Sequence, residues 1–175
     1  RTGAYQFTNT ITGTLNLMAS GGTGTVNISG TLLMGQNSSS AATTNGPAVA
    51  TLNIGGGTVA IGTVTMGSNS IGGGATAQTV APVQATTNIS GGTVTITTLN
   101  MNTNSSANTG TGNASLATLS VSGGTVNVTT LKLAATSNAA ATATSLLSIT
   151  GGTLNLGAAL AYTKTSGTVN STVTL

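Results

Sequence analysis

The 175-residue chain carries three cations, Arg1, Lys132 and Lys164, and no Asp, Glu, His or Cys. That composition removes carboxylate and imidazole acid–base catalysis, thiolate chemistry, disulfides and the common metal ligand sets together. Three scattered cations cannot displace the counterions of a nucleic acid, and no apolar segment reaches the ~20 residues that span a bilayer as a helix.

In chain order, the first segment is "RTGAYQFTNTIT" (1–12), an N-terminal arm with two of the three aromatic residues, Tyr5 and Phe7. A repeat follows. "TLNLMASGGTGTVNISGTLLM" (14–34) has a small insertion before its second apolar run. "TLNIGGGTVAIGTVTM" (51–66), "TTNISGGTVTITTLNM" (86–101), "TLSVSGGTVNVTTLKL" (118–133) and "LLSITGGTLNLGAALAY" (146–162) align with it. Their central threonines, Thr25, Thr58, Thr93, Thr125 and Thr153, are 33, 35, 32 and 28 residues apart.

Each copy holds three short runs in which aliphatic residues alternate with polar ones, the period of a half-buried strand. In residues 51–66 the pattern turns Leu52, Ile54, Val59, Ile61, Val64 and Met66 inward and Asn53, Ala60 and Thr65 outward. A Gly-Gly pair between the first two runs permits a tight corner, and a single residue such as Gly62 or Thr97 marks a gentler bend before the third. Polar segments of variable length, 35–50, 67–85, 102–117 and 134–145, read as loops. The last segment, "SGTVNSTVTL" (166–175), reads as the second and third runs of an incomplete coil.

One coil has too little apolar surface to offset the ~1–2 kcal/mol per residue of backbone ordering, so the coils must stack. The predicted fold is therefore all-β: a right-handed parallel β-helix, or β-solenoid, of about five to six coils, with three short strands and one variable loop per coil. Residues 1–175 read as one solenoid domain, with the arm at 1–12, the main coils at 13–165 and an incomplete terminal coil at 166–175. Stacking predicts interior columns: Val26, Val59, Val94, Val126 and Leu154 in one, and Met34, Met66, Met101, Leu133 and Tyr162 in another.

The strings "SGGTVNVTTLKL" (122–133) and "TGGTLNLG" (150–157) resemble the β-strand repeats of bacterial secreted surface proteins, such as autotransporter passenger domains. The resemblance covers most of the chain and implies a right-handed parallel β-helix with a secreted, surface-attached or fibre-forming role. No membrane-barrel or sorting-tail pattern accompanies the repeats in these residues.

For function, the residues point away from enzymes. Ser and Thr hydroxyls abound but no His, Asp or Glu exists to activate them. The glycine pairs lack the aspartates of calcium-binding rolls, and "GGGT" (55–58) lacks the lysine and helix of a phosphate loop, so no cofactor is expected. Lys132 falls at an outward position. The expected role is a non-enzymatic subunit that joins head to tail into an extracellular fibre or surface layer. Its expected partner is a second copy, met through Tyr5, Phe7, Tyr162, Val173 and Leu175 near the two ends. The aromatics fit equally as plain terminal plugs. Two alternatives stand beside this reading. An adhesin-like passenger would contact glycans or surfaces through the loops. An ice-binding solenoid would use outward threonine rows, although the row Asn27, Ala60, Thr95, Asn127 and Asn155 is mixed.

Overall fold

The computed structural model describes residues 11–39, 47–71, 82–105 and 114–175. They form thirteen strands and, among the described residues, no helix. In chain order the strands are β1 (Ile11–Leu17), β2 (Thr25–Ser39), β3 (Ala48–Ile54), β4 (Thr58–Ile71), β5 (Val83–Ile89), β6 (Thr93–Asn100) and β7 (Thr103–Asn104). They continue with β8 (Ala114–Val121), β9 (Thr125–Thr136), β10 (Thr142–Ile149), β11 (Thr153–Leu156), β12 (Ala161–Lys164) and β13 (Thr168–Thr174).

Two parallel sheets contain them all. The first-run strands stack in the order β1-β3-β5-β8-β10-β13, and the second sheet runs β2-β4-β6-β9-β11, with β12 also on β9 and β7 between β4 and β9. The chain therefore alternates between sheets and climbs one strand at each return, which is a β-solenoid. Thr58 pairs with Thr93 and Thr93 with Thr125, so the repeat threonines are vertical neighbours. Adjacent strands of such a ladder lie ~4.8 Å apart.

The core follows the period-two pattern. Leu52, Ile54, Val59, Ile61, Val64 and Met66 are all buried, and the same positions of neighbouring strands extend the interior in both directions. Val59, Val94 and Val126 are fully enclosed in one column, with Val26 and Leu154 partly buried at its ends.

Both glycines of the Gly91–Gly92 corner are required, for different reasons, and Gly123–Gly124 and Gly151–Gly152 repeat the arrangement. Gly92 adopts φ of +80°, which L side chains rarely take. Gly91 has no such φ, but a Cβ on it would stand 2.5 Å from the Gly55 carbonyl oxygen. The corners stack backbone on backbone, which leaves no room for a side chain.

The structure departs from the sequence reading in four places. First, the second and third runs are one bent strand in β2, β4, β6 and β9, separating only into β11 and β12. In β2 the bend holds two residues, Ser29 and Gly30, where β4 has Gly62, so the register shifts there. Second, β2, β4 and β9 continue past the third run into segments read as loop, and Gly35 and Gly67 turn the corner with positive φ. That extra segment aligns Asn37, Asn69, Asn104 and Thr136, of which the last three are buried. The remaining loop residues 40–46, 72–81 and 106–113 lie outside the described residues.

Third, the terminal segment is not a second and third run. β13 pairs with β10, Thr168 beside Thr142 and Val173 beside Leu147, so it is a first-run strand. The run before it, β12, already occupies the third-run position on β9, and the next strand must return to the first sheet. Fourth, Tyr162 does not continue a buried Met/Leu column. Ala161 pairs with Lys132 but Thr163 with Ala135, so Leu133 and Ala134 share the space opposite Tyr162. Both are buried, whereas Tyr162 is 68% exposed.

Candidate functional site

With no His, Cys, Asp or Glu in the chain, the features to examine are strand edges, apolar patches and hydroxyl arrays. The apolar patches have a simple distribution. Among the described residues every large hydrophobic side chain that is well exposed sits in the first or last strands of the stack. Leu15 and Leu33 are at one end; Leu156, Leu160, Tyr162, Val173 and Leu175 are at the other. The described residues of the middle of the rod expose none of this class.

At the far end, β13 has a ladder on β10, and β11 and β12 have theirs on β9; their other edges carry no strand among the described residues. Val169 and Ser171 of β13, with Tyr162 and Lys164 of β12, line an open depression of about 380 Å³. Val169, Ser171 and Lys164 are inward positions, since their ladder neighbours Ala143, Ser145 and Thr136 are buried, and Tyr162, two residues before Lys164, shares that face. Tyr162 thus faces the open mouth of the core and is exposed because no strand lies above it. Val173 is 42% exposed over buried Leu147, and Leu175 is 92% exposed just past β13.

The opposite end mirrors this. Leu15, Leu32 and Met34 with Leu52 line a shallow, largely apolar depression of about 230 Å³ between β1 and β2. Tyr5 and Phe7 lie outside the described residues. Of the five residues predicted for subunit contact, the structure brings Tyr162, Val173 and Leu175 together at one end. Leu15, Leu156 and Leu160 join this set without having been singled out, whereas Leu33, paired with the outward Thr65, is exposed on the flank of the end strand β2. The signal for Leu15 and Leu156 was present: both fall on apolar runs of the first and last of the five aligned repeats.

The flanks of the rod are polar and regular. Outward residues of the second sheet form an unbroken threonine column, Thr25, Thr58, Thr93, Thr125 and Thr153, beside Asn27, Ala60, Thr95, Asn127 and Asn155. The first sheet carries Thr14, Thr51, Thr86 and Thr118, then Leu146 and Thr172. Beside these, the Asn53 amide donates to Asn16 Oδ1 at 2.7 Å and the Asn88 amide to Asn53 Oδ1 at 2.8 Å. Asn155 donates likewise to Asn127 at 2.9 Å. Such side-chain ladders reinforce the parallel register.

Inside the rod, one polar cluster ties the sheets together. Asn102, 2% exposed, donates to the carbonyls of Ser115 at 2.7 Å and Thr144 at 2.9 Å, and accepts from the Ser115 hydroxyl. Asn102 lies in a segment read as loop from the sequence. No helix among the described residues is long and apolar enough to cross a membrane.

Comparison with protein-family models, with curated proteins and with solved structures finds no match to this chain.

Proposed function

We propose that this chain is a non-enzymatic structural subunit whose copies join end to end into an extracellular fibre or surface layer. On this reading the solenoid is right-handed, the hand expected of parallel crossovers, with five full coils and the first strand of a sixth. The observation that carries it is that, among the described residues, the exposed large apolar side chains are confined to the first and last strands of the rod. An unpaired strand edge beside exposed aliphatics is a template for another chain, and a contact between unlike ends propagates without closing. The absence of acidic side chains and the formal charge of +3 leave little repulsion to oppose it. Sedimentation velocity and negative-stain microscopy across a concentration series test the reading. Rods of constant width whose length grows with concentration are expected; isolated rods of one length at every concentration overturn it.

A second reading has a separate observation behind it. The five-membered threonine column of the second sheet is uncharged, exposed along most of its length and set on a regular ladder, with β-branched side chains whose χ1 is restricted. A repeating array of hydroxyls and methyls suits a neutral, ordered surface such as ice. Thermal hysteresis and ice-recrystallisation assays with Thr93→Lys as comparator decide it: activity lost in the variant supports ice binding, and no activity in the parent chain removes it.

A further inference from the structure

The two sheets differ in height at the far end of the rod. The first sheet has six strands, ending in β13, whereas the second ends one level lower at β11 and β12. A step one strand high is left above β12, with exposed Leu160 and Tyr162 on its floor and Val169 of β13 on its wall. At the near end β1 and β2 belong to the same level, so among the described residues there is no matching step.

Continuing the ladder fixes how a second copy can sit. Leu15, Leu52, Thr87, Leu119, Leu147 and Val173 are successive members of one column of the first sheet. Its two terminal members are the exposed ones, Leu15 at 40% and Val173 at 42%. Pairing β13 of one copy with β1 of the next in the same register places Val173 against Leu15 and closes the column. It also leaves, on the second sheet, a gap one strand deep between β12 of the first copy and β2 of the next.

The segment in phase with that gap is the arm that precedes β1. Within the rod, a third run always leads into the first run of the next level, as β12 leads into β13. The arm repeats that passage: "AYQFTNTI" (4–11) matches "AYTKTSGTV" (161–169) with one residue fewer, opposite Gly167. The match sets Tyr5 in the position of Tyr162, and Ile11 and Val169 already share one register position of the first sheet.

We propose that a composite coil joins the copies: β13 of one copy pairs in parallel with β1 of the next, and arm residues 4–7 of that next copy lie over β12 as the missing third run. This deepens the end-to-end reading and rests on it. Neither chain supplies a second run over β11, so the joint is the least complete level of the fibre.

Cysteine cross-linking tests the register, and the chain has no native cysteine to interfere. Neighbouring strands ~4.8 Å apart meet the ~4.4–6.8 Å Cα separation of a disulfide. The double variant Leu15→Cys/Val173→Cys, assembled and then oxidised, is expected to give a ladder of covalent multimers on a non-reducing gel. Leu15→Cys/Thr172→Cys, whose second cysteine faces outward, is expected to give at most a tenth of that yield. Filaments that form with both variants but cross-link equally, or not at all, overturn the register. Deletion of residues 1–10 is expected to lower polymer mass at least tenfold while circular dichroism stays unchanged; full-length filaments after deletion overturn the role of the arm. If the parent chain forms no filaments, the end-to-end reading itself fails, an outcome distinct from all of these.

Discussion

Gly92 rests on Gly57: the Gly57 carbonyl oxygen accepts the Thr93 N–H at 2.8 Å, and a Cβ built on Gly92 would stand 2.5 Å from that same oxygen. The corner is therefore held by a hydrogen bond that only a glycine lets form, and the contact recurs where Gly152 sits on Gly124.

Gly92→Ala should be severely destabilising. The left-handed φ costs an L residue ~1–2 kcal/mol, and the methyl collides with backbone that cannot retreat without breaking the ladder. A loss of about 3 kcal/mol or more is expected from urea titration. Gly30→Ala is the comparator: nothing lies within 4 Å of the added methyl and φ is not positive, so a change under about 0.5 kcal/mol is expected. Similar losses in the two variants would show that corner stacking does not limit stability.

The contrast between these glycines also marks how far the sequence could be read. Alternation in residues 51–66 assigned inward and outward faces because a parallel ladder repeats every two residues, and the structure buries each of the six inward side chains. The Gly-Gly pair was legible as a corner, but the need for Gly91 was not, since it arises from backbone of the level below. The extra segment after the third run was illegible because its inward residues, Asn69, Asn104 and Thr136, are polar and read as loop. The terminal segment was assigned to the wrong sheet because "SGT" (166–168) looks like the corner between first and second runs. Only the placement of β12 reveals the phase. At the ends, Tyr162 and Val173 could be picked out because they lie in the last repeat, whereas the step between sheets depends on strand counts that no local pattern encodes.

Asn102 is the polar residue whose loss should matter most. Asn102→Ala would strand the buried Ser115 carbonyl and hydroxyl and the part-buried Thr144 carbonyl, each left without the partner it has now. Unsatisfied buried groups cost ~1–3 kcal/mol each, partly relieved by entering water, so a loss of about 2–4 kcal/mol is expected. The midpoint of urea unfolding measures it. A shift equivalent to less than about 1 kcal/mol would mean that the Asn102 bonds contribute little net stability.

Thr87 should behave in the opposite way. It occupies an aliphatic column between Leu52 and Leu119, is 2% exposed, and donates to the sulfurs of Met66 at 3.5 Å and Met34 at 3.7 Å. Thioether sulfur is a weak acceptor, so burial of the hydroxyl is poorly compensated. Thr87→Val removes the hydroxyl at similar volume and should be neutral or stabilising by up to about 1 kcal/mol. A loss beyond about 1 kcal/mol would show that the O–H to sulfur bonds outweigh the desolvation of the hydroxyl.

Stability should be flat with pH over an unusual range. Stability changes with pH only when the folded and unfolded states bind different numbers of protons. The chain has no Asp, Glu, His or Cys, so no side-chain type with a reference pKa between about 3 and 9 is present. Between about pH 5 and 6.5 the α-amino and α-carboxyl groups, with reference values near 7.7–8.0 and 3.3–3.7, change charge by less than about a tenth of a unit. With no side-chain type that titrates in this range, the urea midpoint should be constant across that window. The net charge is nearly constant as well, so filament yield should follow the same flat profile, and added salt has no acid–base pairs to screen. A midpoint that moves by more than the equivalent of about 0.5 kcal/mol between about pH 5 and 6.5 would require a titrating group that this composition does not contain.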